Sequence, residues 1–133
     1  MYFLDTNTCI YFLNGSSEKI KSKILTTAPN DIKIPAIVKA ELLLGAYKSK
    51  KRNSNLEKVE AFLVPFEIIP LQDQMSYVYA DIRYKTETAG KSVGLNDLFI
   101  AAVVKFYEGI LITNNIKEFS YIKGLKTNDW YGS

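Results

Sequence analysis

Brief apolar runs alternate along this chain with longer stretches in which apolar residues recur every three or four positions. The runs are Tyr2-Phe3-Leu4, Ile32-Lys33-Ile34, Phe66-Glu67-Ile68-Ile69 and Gly109-Ile110-Leu111-Ile112-Thr113. Runs of this length, bounded by turn formers, predict short buried strands. Asp5-Thr6-Asn7-Thr8 is dense in cap formers and predicts a helix to about Leu13, ended by Asn14-Gly15. Ser16-Ser17-Glu18 predicts the cap of a second helix reaching about Thr27, followed by a turn at Pro29-Asn30-Asp31. Pro35 suits the first position of a helix running to about Lys50. Asn53 to Phe62 reads as another, with Leu56, Val59 and Leu63 on one face. Met75, Tyr79, Ile82 and Thr86 share a face of a long helix from Gln72 to Ala89, which Gly90 stops. Gly94-Leu95-Asn96 precedes a buried helix from Asp97 to about Phe106. Phe119 belongs to a short helix or turn, and the pattern ends near Trp130.

Strands that alternate with helices predict an α/β fold with a mainly parallel sheet, here as one domain over residues 1–133. In such sheets, sites form beyond the C-terminal ends of the strands. Asp5 follows the first strand, and Asn114-Asn115 follow the last.

Composition narrows the chemistry. The chain is 47% apolar, but its longest apolar stretches are about half what a bilayer span needs. The N-terminus has neither a basic region nor a cleavage site, and the lone cysteine, Cys9, cannot form an intramolecular disulfide. These features predict a cytoplasmic protein with no membrane segment. Cys9 reads as a small core residue. Net charge is only +3, but Lys48, Lys50, Lys51 and Arg52 cluster, while Arg83, Lys85, Lys91 and Lys105 are spread through the later half. The cluster is equally compatible with a solvated helix end and with phosphate contact.

There is no histidine. That excludes Ser-His-Asp and Cys-His nucleophile pairs, two-histidine ribonuclease chemistry and histidine-zinc sites. No glycine-rich phosphate loop occurs either. Metal activation of water by carboxylates remains available for hydrolysis.

Three carboxylates stand against predicted core. Asp5 ends the first apolar run, Glu41 lies within Pro35–Gly45, and Asp97 opens Leu98–Val104. An ionised carboxylate beside core is costly unless paired or coordinated. One from each of three segments points to a shared site, and oxygen ligands of this kind suit Mg²⁺ or Mn²⁺. Each also has a plain structural reading. Asp5 as an N-cap is self-sufficient, and Asn96 or Asp97 can cap the following helix. Glu41 has only Ile37, Val38, Leu44 and Gly45 at helical contact spacing, so it needs a partner from elsewhere or an exposed helix end. Thr6 and Thr113 suit either ligand orientation or local capping. The remaining acids, Glu118 among them, read as polar-face or element-end residues. Asp73 reads as a cap, and Asp129 as surface, with membership of the acidic site as the alternative. Tyr11, Phe12, Tyr47 and Tyr77 read mostly as core, with a groove or dimer face as the alternative.

Four segments carry a family resemblance: Phe3-Leu4-Asp5-Thr6-Asn7, Ala40-Glu41-Leu42-Leu43-Leu44-Gly45, Gly94 to Ala102, and Leu111-Ile112-Thr113-Asn114-Asn115 followed by Phe119 and Gly124-Leu125. In this order they resemble the PIN-domain ribonucleases, and most closely the VapC toxins of bacterial toxin–antitoxin pairs. Asp129-Trp130 is similar to the family's ending. The resemblance implies an α/β/α sandwich around a parallel sheet and Mg²⁺- or Mn²⁺-dependent cleavage of RNA. It maps the acidic site onto Asp5, Glu41 and Asp97, with Asp5 and Asp97 as metal ligands and Thr6, Asn7 and Thr113 around them. Asn115 stands where the family often has a fourth acid, which lowers the charge available to a second metal. The Thr-Asn-Asn variant resembles the branch that cuts tRNA, including initiator tRNA in its anticodon loop, and so inhibits translation. Implied partners are a VapB-type antitoxin, in a hetero-oligomer, and a second copy in a homodimer. Two other readings stay open: an RNA-processing PIN nuclease without an antitoxin, and a non-catalytic RNA- or protein-binding module.

Overall fold

The computed structural model describes residues 1–131. Strand β1 (Tyr2–Leu4) leads into helices α1 (Thr6–Leu13) and α2 (Glu18–Thr26). A single turn of 3₁₀ helix at Pro29–Asp31 enters β2 (Ile32–Pro35), which is followed by α3 (Ala36–Lys48) and α4 (Arg52–Leu63). Strand β3 (Glu67–Ile69), the hairpin of α5 (Met75–Thr88) and α6 (Leu95–Phe106), β4 (Ile110–Ile112), α7 (Ile116–Phe119) and β5 (Lys126–Asn128) complete the order.

All five strands run parallel in the order β3-β2-β1-β4-β5. The chain leaves β1 in one direction through β2 and β3. It then crosses to β4 and β5 on the other side. Right-handed crossovers in opposite directions put their helices on opposite faces of the sheet. Accordingly α1 to α4 pack among themselves, while α5 packs on α6. Phe3, Leu4, Ile32, Ile34, Leu111 and Ile112 are fully buried between the layers, as expected for strands covered on both faces. Burying each contributes roughly 1.5–3 kcal/mol relative to exposure.

The layout makes the space beyond β1 and β4 the topological switch point, where a doubly wound sheet opens a crevice at its C-terminal edge. Register fixes this edge: Leu4 lies opposite Ile112, and the Asp5 amide donates to the Ile112 carbonyl at 3.1 Å.

Several boundaries differ from the sequence expectation. Pro35 closes β2 and flanks α3 instead of opening it, because its amide-free nitrogen suits the last residue of a strand. α3 stops at Lys48, and α4 begins one residue earlier than expected, at Arg52. α5 begins at Met75, because Gln72 to Gln74 form a turn. α6 begins at Leu95, so neither Asn96 nor Asp97 is its cap; Gly94 is. Strand β5 was not expected at all. Lys126-Thr127-Asn128 carries no apolar residue and pairs only with β4 at the sheet edge. Tyr47, Tyr77 and Tyr84 are exposed, while Phe12 packs in a row with Phe62 and Phe66.

Gly109 controls the approach of β4 to β1. A Cβ there would stand 2.5 and 2.7 Å from carbons of the Phe3 ring and 3.2 Å from the Met1 carbonyl. Phe3 is fully buried and cannot swing away. Gly109→Ala should therefore destabilise the protein by about 1–3 kcal/mol, the usual cost of overpacking. Urea denaturation checks this: the midpoint falls in the variant, and an unchanged midpoint would contradict the packing described.

Candidate active site at the switch point

Asp5 is the first residue beyond β1 and is only 4% exposed. Its carboxylate caps α1, accepting from the Thr8 amide at 2.9 Å. The Thr113 hydroxyl, beyond β4, hydrogen-bonds the same carboxylate. The Thr8 hydroxyl meanwhile donates to the Ile112 carbonyl at 3.1 Å, tying α1 to β4. Burial pushes the Asp5 pKa up despite these hydrogen bonds, and Glu41 adds to the rise. A cap with this many donors still carries an energetically unfavourable charge.

Glu41 lies on α3, half-buried, and its partners come from two other helices. The Thr6 hydroxyl of α1 donates to Oε1 at 2.5 Å, and the Asn96 amide of α6 donates to Oε2 at 3.2 Å. Both donors are neutral, so the charge is positioned but not cancelled.

Asp97 occupies the first turn of α6. Its pKa is pushed up to about 7, first by burial, then by the negative charge of Glu118 and a hydrogen bond with it, and then by Asp5 and Glu41. The acids named there are four, one more than the sequence identified. Glu118, on α7, accepts from the Gly94 amide at 2.8 Å and from the Asn115 side-chain amide. Glu118 had read as an ordinary element-end acid. A signal was available: Asn115 followed three residues later by Glu118 has the spacing of a helix-start capping box, which aims the glutamate at the strand edge.

The other expected site residues divide. Asn115 flanks α7; its amide donates to the Thr113 hydroxyl at 2.9 Å and its side chain holds Glu118. Thr6 and Thr113 contact Glu41 and Asp5 respectively. Asn7 is exposed on the first turn of α1 and joins none of these hydrogen bonds.

The electrostatics are one-sided. Among the described residues, ion pairs join Lys33 to Glu67, Arg83 to Glu87 and Lys85 to Asp81, and none involves the four acids. The donor set is all oxygen. Cys9 lies nearby, but burial and the Asp5 charge hold its thiol protonated. Such a set fits a hard cation. The fit is an open one: among the described residues, no three acids are gathered closely enough to clasp an ion by themselves.

A family model described as PIN domain matches residues 2–125. The chain belongs to the PIN-domain family. It is 38% identical to ribonuclease VapC2 of Rickettsia felis, over 98% of each chain. It is 32% identical to the tRNA(fMet)-specific endonuclease VapC of Salmonella typhimurium, over 97% of each. The crystal structure of VapBC2 from Rickettsia felis bound to a DNA fragment from their promoter contains a chain that superposes with a TM-score of 0.91. There the identity is 38%, over 97% of this chain and 98% of that one. The PIN sandwich expected from the sequence is therefore the fold observed, and the protein is an endoribonuclease of the VapC group.

A pH dependence follows for the metal-free PIN domain. Native Asp97 keeps its proton to about pH 7, whereas the unfolded side chain releases it near 3.8. The native state thus binds more protons between those values. Asp5 is shifted in the same direction. Stability is greatest at the acid end of this window and falls as pH rises through it. Thermal melts in EDTA should give a lower midpoint at about pH 8 than at about pH 5. An equal or higher midpoint at the alkaline pH would contradict the carboxylate crowding.

Proposed function

We propose that this protein is the toxin of a type II toxin–antitoxin pair, a Mg²⁺-dependent ribonuclease that cuts tRNA, in the anticodon loop of initiator tRNA, and so arrests translation in the cytoplasm. The observation that carries this reading is the convergence of Asp5, Glu41, Asp97 and Glu118 at the switch point, with none of the ion pairs among the described residues involving them. The tRNA substrate is supported by the likeness to the Salmonella typhimurium endonuclease.

Asp5 and Asp97 would hold Mg²⁺, for which Mn²⁺ can substitute. When bound, the ion supplies an activated water and stabilises charge on the scissile phosphate. Glu41, aimed by Thr6 and Asn96, orients the attacking water and accepts its hydrogen bond. Thr113 orients Asp5, and Asn115 orients Glu118, so the amide at position 115 positions an acid in place of supplying one. Asn7, exposed on the same turn as Thr6, faces outward to the substrate.

The restraining partner is a VapB-type antitoxin in a hetero-oligomer, a reading supported by the complexes in which relatives are found. A groove of about 370 Å³ between α1, α3 and α4 suits an apolar antitoxin segment: Ile10, Leu13, Leu42 and Val59 line it, and Glu41 stands at its rim. A basic antitoxin side chain at that rim would pair with the acids and block the site. The toxin itself forms a homodimer in this proposal.

The test is cleavage of total tRNA by the purified, antitoxin-free protein, with Mg²⁺ or with EDTA. One discrete Mg²⁺-dependent cut is expected. Asp5→Asn and Asp97→Asn should lower its rate by about 10²–10³-fold with the fold intact by circular dichroism. Glu118→Gln should lower it by about 10–100-fold. Full activity in the Asp5 or Asp97 variant would overturn the assignment. A folded wild-type protein that cuts no RNA and binds no Mn²⁺ would favour the non-catalytic module.

A further inference from the structure

A second cavity lies alongside the acidic site and has the opposite character. It is about 410 Å³ in volume, between the C-terminal half of α5, the end of α6 and the segment after α7. Lys85, Lys105 and Lys123 line it together with Tyr84 and Tyr121, and no acid does. Lys85 pairs with Asp81 at 3.1 Å, but both side chains are at least half exposed, so the pair is weak and leaves the lysine available. Lys105 and Lys123 take part in none of the ion pairs described. Gly124, at a φ of 80°, has no side chain to obstruct the Lys105 ammonium, which stands 3.7 Å from where a Cβ would be.

Two contacts join this cavity to the acids. The Gly94 amide donates to Glu118, and the Lys91 ammonium sits 5.1 Å from the centre of the Tyr121 ring. Segments 91–94 and 118–121 thus run past each other with an acidic rung at one end and a basic-aromatic rung at the other. Three residues separate the rungs, at most about 11 Å of chain. The backbone at Lys91 is held firmly. Gly90 takes a left-handed φ of 71°, and the Lys91 amide closes α5 by donating to the Thr86 carbonyl at 2.9 Å.

We propose that this cavity is a subsite for the single-stranded RNA flanking the scissile phosphate, with the lysines taking phosphates and Tyr84 and Tyr121 giving faces for unstacked bases. The inference rests on the ribonuclease reading and deepens it. Four repelling carboxylates cannot attract a polyanion, so affinity must come from cations placed beside them. Lysines interleaved with aromatic faces are the combination that binds single strands without reading sequence. Tyr84 is 70% exposed and so presents a free ring. In the cluster at Lys48 to Arg52, in contrast, Arg52 lies over the Tyr47 ring and donates to the Tyr47 carbonyl.

The test uses the whole protein in EDTA, so that nothing is cut, and fluorescence anisotropy of a labelled single-stranded RNA. Lys85→Ala/Lys123→Ala changes two exposed residues and spares the core; Tyr84→Ser removes one base platform. Lys19→Ala/Lys21→Ala, on α2, removes the same charge elsewhere. The cavity double variant should weaken binding about tenfold and flatten the salt dependence of log K by about 1.4, two phosphates at about 0.7 each. Tyr84→Ser should weaken binding by about fivefold or more without changing the slope. The α2 variant should change neither. If wild-type protein binds RNA and the cavity variants lose no more than the α2 control, the subsite is overturned while the ribonuclease reading stands. If they retain RNA binding but lose antitoxin binding, the cavity belongs to a protein partner and the subsite is again overturned. Wild-type protein that binds no RNA would overturn both.

Discussion

The burial of Asp5 and Asp97 beside the charges of Glu41 and Glu118 is the constraint around which the rest of this PIN domain is built. Each carboxylate alone has an adequate set of hydrogen bonds. Burial, with the charges of Glu118, Asp5 and Glu41 added to it, raises the Asp97 pKa to about 7, and burial with the Glu41 charge raises that of Asp5. Hydrophobic packing holds them in place, and among the described residues no ion pair with a lysine or arginine involves them. Under the function proposed, a bound cation would relieve this arrangement.

The scaffold meets this constraint with neutral donors on rigid elements. The threonine hydroxyls at positions 6, 8 and 113 fix two acids and bind α1 to β4 without adding charge. Asn96 and Asn115 do the same for Glu41 and Glu118. The parallel register that places Leu4 beside Ile112 brings the ends of β1 and β4 together, and Gly109 allows that approach at the opposite end of the pair. Positive charge is kept one step away, on the far side of the contact between Lys91 and Tyr121. In the function and subsite proposed, holding a cation and attracting an anion are separate tasks.

Much of this was legible in the chain. Strands buried on both faces must be nearly all apolar, so β1, β2 and β4 announced themselves, and alternation with helices implied the parallel sheet. Asp5, Glu41 and Asp97 stood out because each interrupts or borders such a run. The parts that did not read out lack that contrast. Lys126-Thr127-Asn128 becomes a strand only because β4 offers it a free edge. Glu118 sits on a one-turn helix among polar neighbours, and its importance comes from Gly94 and Asp97, far away in sequence. The start of α6 was misplaced by two residues because Gly94 supplies the cap geometry without a side-chain acceptor. Local pattern records burial well, but it does not record which distant group will lie opposite a polar side chain.

Cation binding measured directly, apart from any RNA, tests the central claim most closely. Isothermal titration of the metal-free wild-type protein with Mn²⁺, beside Asp97→Asn, separates a functional acid cluster from an accidental one. Saturable binding by the wild type, weakened at least about tenfold in the variant, is the predicted result. No Mn²⁺ binding by a folded wild-type protein, or equal binding by both, would contradict the account.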